Sequence, residues 1–77
     1  MAELYFLVGN LESEKARMLV KKSGLEITIQ RVEPDEAYPY FNKGIKEFPF
    51  LNVGDITYFG LDEIRSYIKL QKRQDNL

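Results

Sequence analysis

Few side chains in this sequence could do chemistry, and two residue types that usually do it are absent. There is no cysteine and no histidine among the 77 residues, so thiolate chemistry, disulfides, structural zinc and imidazole acid–base catalysis all drop out. What is left is Asn10 and Ser13 in the run Asn10-Leu11-Glu12-Ser13, the phenol of Tyr5, the carboxylate of Asp62, and the aromatic group Tyr38, Tyr40 and Phe41 ahead of Phe48-Pro49. A lone serine with no histidine or evident base is not an activated nucleophile. The remaining metal ligands would be carboxylates, and these are scattered along the chain. No catalytic and no metal-binding residue is assigned.

Size and charge narrow the class further. The length allows one domain, residues 1–77, with one modest core, and 44% hydrophobic residues suffice for that core without staples. Eleven Lys and Arg against twelve Asp and Glu leave a net charge of −1, which gives no global field to attract nucleic acid or an anionic membrane. Met1-Ala2-Glu3 lacks a basic leader, Leu4 to Val8 is too short for a signal segment, and no apolar run could span a bilayer. The expectation is a cytoplasmic protein.

The elements that must position these residues follow from the pattern. Glu3-Leu4-Tyr5-Phe6-Leu7-Val8 ends at Gly9 and reads as a strand buried on both faces. Asn10 then stands at a helix N-cap, able to accept a hydrogen bond from the first turn. Leu11, Ala16, Leu19 and Val20 recur at mostly helical spacings, acids come early and Lys21 and Lys22 late, and Gly24 stops the helix. Leu25, Ile27 and Ile29 alternate with Glu26, Thr28 and Gln30, predicting a strand with one polar face. Strand, helix and strand with short joints make a parallel βαβ unit.

Glu33 to Phe48 predicts one broken helix, opened by Pro34, interrupted by Pro39 and weakened at Gly44. Phe50 to Val53 and Ile56 to Phe59 flank Gly54-Asp55 as a hairpin. Leu61, Ile64, Tyr67 and Ile68 mark one face of a last helix, followed by a frayed tail over about residues 70–77. The fold class expected is α/β, in the order β-α-β-α-β-β-α, with a four-stranded mixed sheet and helices on both faces.

That order, with Pro49 just before the hairpin, resembles the thioredoxin-like fold in its glutaredoxin and glutathione-transferase N-domain form. Lys15-Ala16-Arg17 and Leu19 fall in register with the helix that follows the glutaredoxin Cys-x-x-Cys, which sets Asn10 and Ser13 on the two cysteine positions. Phe48-Pro49-Phe50-Leu51 is similar to the family's Val-Pro-x-Val or Val-Pro-x-Leu. Gly54-Asp55 through Ile64, Tyr67 and Ile68 resembles the transferase pattern, and Phe59-Gly60-Leu61-Asp62-Glu63-Ile64 resembles the glutaredoxin Gly-Gly-x-Asp-Asp-Leu.

The resemblance implies a cis Phe48-Pro49 bond whose neighbouring backbone meets an extended peptide or glutathione; read from composition alone, Pro49 is a proline opening a strand. It implies that Gly60 and Asp62 face the γ-glutamyl end of glutathione, whereas Asp62 also reads as a first-turn acid stabilising its helix. Tyr5 matches the transferase tyrosine but also reads as strand packing. Asn10 and Ser13 read equally as a cap and a solvated or locally hydrogen-bonded residue.

A thiol-disulfide oxidoreductase is excluded by the missing cysteines. The function expected is a non-catalytic module that binds a protein or peptide partner. Its groove would involve Tyr5, Phe48, Pro49, Gly60 and Asp62, with Tyr38, Tyr40 and Phe41 as a further partner surface. The alternative is a glutathione binder or weak transferase. No other cofactor is implied.

Overall fold

The computed structural model describes residues 1–75. Strand β1 (Ala2–Leu7) leads through Val8-Gly9-Asn10 into α1 (Leu11–Ser23), and β2 (Ile27–Val32) returns parallel to β1. A 3-10 turn (Pro34–Glu36) and α2 (Ala37–Asn42) follow, then β3 (Phe50–Val53), β4 (Ile56–Phe59) and α3 (Gly60–Asp75). The sheet order is β2-β1-β3-β4, with β3 antiparallel to both β1 and β4. The chain is therefore α/β with a mixed four-stranded sheet and three helices.

Local chemistry sets the helix ends. The Asn10 carboxamide accepts a hydrogen bond from the Ser13 N–H at 2.8 Å, which satisfies one of the donors the first turn leaves open. Gly24 ends α1 at φ 76°, where a side chain would be strained. The predicted broken helix is two pieces. Pro34 opens the 3-10 turn, where Glu33 and Glu36 form a capping box. Pro39 does not interrupt α2: it lies in the first turn, where a missing N–H costs little. Gly44, at φ 93°, closes α2 by donating to the Phe41 carbonyl while Ile45 donates to that of Tyr40, the paired bonds of a Schellman ending.

Both long helices lie on one face of the sheet. Leu4 and Leu51 from the sheet, Ala16 and Val20 from α1, and Ile64 and Ile68 from α3 form one buried aliphatic cluster. The other face carries Val32, Ala37, Phe48 and Phe50, with Tyr5, Leu7, Tyr40, Ile45 and Phe59 half-buried around them, and α2 packs there. β1 is thus less enclosed than its composition predicts: Leu4 and Phe6 are buried, Tyr5 and Leu7 only partly. β2 begins two residues later than predicted, because the Leu25 N–H is taken by the Ser23 hydroxyl while Arg31 and Val32 pair with Phe6 and Leu7. α3 continues past Leu70 to Asp75, and the rest of the expected tail, residues 76–77, lies outside the described residues. No described helix is long and apolar enough to cross a membrane.

Candidate functional site

The sheet register brings the expected residues to one end of the molecule. β1 and β3 pair Tyr5 with Phe50 as the last step of their ladder, so Phe48-Pro49 enters β3 at the end where β1 runs on to Phe6 and Leu7. From that strand end Val8-Gly9-Asn10 turns into α1, with the Asn10 N–H held by the Leu7 carbonyl at 3.1 Å. The Phe48-Pro49 bond is cis. The Pro49 carbonyl accepts from the Gly60 N–H at 2.9 Å, which fixes the start of α3 to the same place. Neither the N–H nor the C=O of Phe48 finds a backbone partner among the described residues. Phe48 is itself buried, and most buried backbone groups in proteins are paired, so a donor and an acceptor without backbone partners stand out here.

Aromatic packing builds the wall of this site. Tyr5 stacks on Phe50 with ring centres 4.6 Å apart and planes within 8°. Tyr40 from α2 leans over the pair, 5.7 Å from Tyr5, 6.1 Å from Phe50 and 5.6 Å from Phe48. Phe41 meets Phe48 edge-on at 5.8 Å yet keeps 46% of its surface exposed, and Tyr38 is 75% exposed. The three aromatics of α2 therefore play different parts. Tyr40 closes the cluster, whereas Tyr38 and Phe41 present rings to solvent. The Lys46 ammonium lies 6.0 Å from the Phe59 ring at the edge of this wall, whereas the Arg17 guanidinium, 5.6 Å above the Phe6 ring, belongs to the opposite, helical side with Leu4.

Tyr5 serves here as packing. Burial pushes its phenol above the ordinary value, with Glu3 and Tyr40 adding to the shift, so it stays protonated at neutral pH. Asp62 lies apart from the cluster: its side chain is 99% exposed and reaches only Arg65, at 3.5 Å. Gly60, at φ 83°, turns the corner from β4 into α3, and the Glu47 carboxylate lies 3.7 Å from where a Cβ would stand. Glu63 accepts from the Phe59 N–H at 2.9 Å.

Two residues behave differently from expectation. Ser13 is neither solvated nor bonded through its side chain: it is fully buried, and its hydroxyl has no partner among the described residues. Leu11, counted in the apolar stripe of α1, is 70% exposed, because the buried stripe runs through Ser13, Ala16 and Val20. Spacing alone contained that signal, since Ser13, Ala16 and Val20 are three and four apart, but serine is usually read as polar. Leu11 thus adds an apolar side chain beside Asn10 at the helix start.

Among the described residues no group of three or more acidic side chains is placed to hold a metal ion. No protein-family model matches the sequence. No curated protein matches it either.

Proposed function

We propose that this chain is a thioredoxin-like domain of the glutaredoxin type that has no redox chemistry and binds an extended segment of another protein. The strand order β2-β1-β3-β4, with only β1 and β2 parallel, supports the fold reading, together with Asn10 and Ser13 at the head of α1 and Pro49 ahead of β3. The observation that carries the binding reading is Phe48, whose N–H and C=O lack backbone partners among the described residues beside the exposed ring of Phe41, with exposed Tyr38 three residues earlier on α2. An extended peptide supplies the complementary acceptor and donor, and aromatic rings are the side chains most enriched where proteins meet.

Selection from a displayed library of random peptides tests this. The expected result is a consensus peptide whose binding shifts the backbone NMR signals of Asn10, Phe41 and Phe48. Replacing Tyr38→Ser and Phe41→Ser together should weaken it by about tenfold or more, the scale of losing one contact worth about 1.4 kcal/mol. Selected peptides that map elsewhere would count against this face as the site.

Glutathione is the competing ligand for the same end of the molecule. The Glu47 carboxylate beside Gly60 repels a second carboxylate there, which weighs against it. Shifts at Phe48, Gly60 and Asp62 on adding millimolar glutathione would favour that reading instead.

A further inference from the structure

The outer surface of the long helices carries a second feature that the peptide-binding face does not use. Between α1 and α3 runs a groove of about 250 Å³ lined by Lys15, Met18, Leu19, Lys22, Leu61 and Arg65. Three of these are apolar, and Met18 is 52% exposed. The other three are cations, with no acid among the lining residues. On α1, Glu14 is bound to Arg17 at 3.0 Å, and no ion pair among the described residues includes Lys15 or Lys22, while Arg65 reaches the exposed Asp62 carboxylate at 3.5 Å, a surface contact weak enough to exchange for a partner's acid. Further along α3, Lys69 and Lys72 stand four and seven residues beyond Arg65 and line a separate hollow with Ser66, Leu70 and Arg73. Three of the eleven Lys and Arg residues thus line one groove of a protein whose net charge is −1.

We infer that this groove docks an acidic amphipathic helix of a partner protein. The apolar residues would take one or two large side chains on the helix's inner face, while its flanking carboxylates meet Lys15, Lys22 and Arg65. The volume fits this occupant, being below the roughly 300–1,000 Å³ of small-molecule sites but enough for side-chain anchors. Single-stranded nucleic acid is disfavoured because no aromatic ring lines the groove for a base to stack on. A membrane surface is disfavoured because Leu19 and Leu61 are half-buried in the groove rather than projecting.

The probe is a synthetic helical peptide of about five turns, with leucines on one face and glutamates flanking them, followed by fluorescence anisotropy and backbone NMR. Saturable binding that shifts Met18, Leu19, Lys22 and Leu61 is expected, weakening with added salt. Lys22→Glu with Arg65→Glu should weaken it about tenfold, as two reversed exposed charges would, with far-UV circular dichroism unchanged. Exchanging the peptide's leucines for serine should abolish it, and so should exchanging its glutamates for lysine. The Tyr38→Ser, Phe41→Ser variant should bind the helix normally, which separates this site from the aromatic face. The inference is overturned by shifts that spread over the surface, by binding that survives loss of the leucines, or by equal binding to a single-stranded oligonucleotide. Equal binding to phosphatidylserine–phosphatidylcholine vesicles overturns it as well.

Discussion

The two faces of the sheet are built to different specifications. On the helical face, α1 and α3 cover an aliphatic cluster in which Leu4, Ala16, Leu51 and Ile64 retain no exposed surface. On the other, α2 has only six residues and covers one end. That end is aromatic, with Tyr5, Phe50 and Phe59 in register across β1, β3 and β4. Towards the other end the same face turns polar, with Glu3, Asn52 and Thr57 aligned and Thr57 bonded to Asn52 at 2.8 Å. A closed aliphatic layer stabilises the fold, and a partly closed aromatic one leaves rings and backbone groups for contact. The two sides of one sheet thus differ in how completely they are closed, the helical side fully and the aromatic side only in part.

The largest test of this contrast is a pair of truncations. Leu51→Ala removes a side chain enclosed on all sides and should cost about 3 kcal/mol, within the usual range for buried leucine. Phe59→Ala removes a larger side chain from the open face, where it is only half-buried, and should cost about 1–2 kcal/mol despite its size. Urea denaturation of both variants measures the difference. If Phe59→Ala proves the more damaging, the aromatic face is a second structural core and the division fails.

The ease of reading the sequence follows the same division. The hairpin at Gly54-Asp55, the cap at Asn10 and the stop at Gly24 depend on a few adjacent residues, and their signals are strong for that reason. The helical face was also readable, because Ile64 and Ile68, or Ala16 and Val20, repeat at helical spacing. The aromatic end was not. Tyr38, Tyr40 and Phe41 are adjacent in sequence and alike in chemistry, yet their different exposures depend on where α2 meets Phe48 and Phe50, far along the chain. Ser13 escaped for a similar reason: its type suggests solvent, while its depth is set by tertiary packing. In the candidate site, the positions of Asn10, Phe48, Pro49 and Gly60 came from matching a pattern. The lack of a backbone partner for Phe48 among the described residues has no sequence signature at all.

Smaller effects sharpen the contrast at the head of α1, where the two layers meet the site. Asn10→Ala removes the cap on the Ser13 N–H and should cost about 1 kcal/mol in the same denaturation experiment. Ser13→Ala should act in the opposite direction. Its buried hydroxyl lacks a partner among the described residues, and such a group is destabilising by about 1–3 kcal/mol. Removing it should raise stability, by about 1 kcal/mol at most once lost packing is included. A loss of stability would mean that the hydroxyl has a partner, such as a buried water, and that this position is held for more than shape.

The smallest effect concerns pH, and it tests whether Tyr5 belongs to the packing of the open face. Burial raises the Tyr5 phenol above its ordinary value of 10.0, with Glu3 and Tyr40 contributing in the same sense. The folded protein therefore holds that proton more tightly than the unfolded chain does. Where the unfolded state binds fewer protons, stability falls as pH rises. The contribution is complete below pH 10 and is lost as pH climbs through the raised value in the folded state. Tyr67 on α3 is shifted the same way by burial and by Tyr58, so the native protein carries both slopes. Tyr5→Phe should remove only the part that belongs to the aromatic face, giving a shallower decline above pH 10 than the native protein shows. An unchanged decline would indicate that the Tyr5 phenol is as free in the folded state as in the unfolded one. The ring would then stack on Phe50 without its hydroxyl being drawn into the wall of the site.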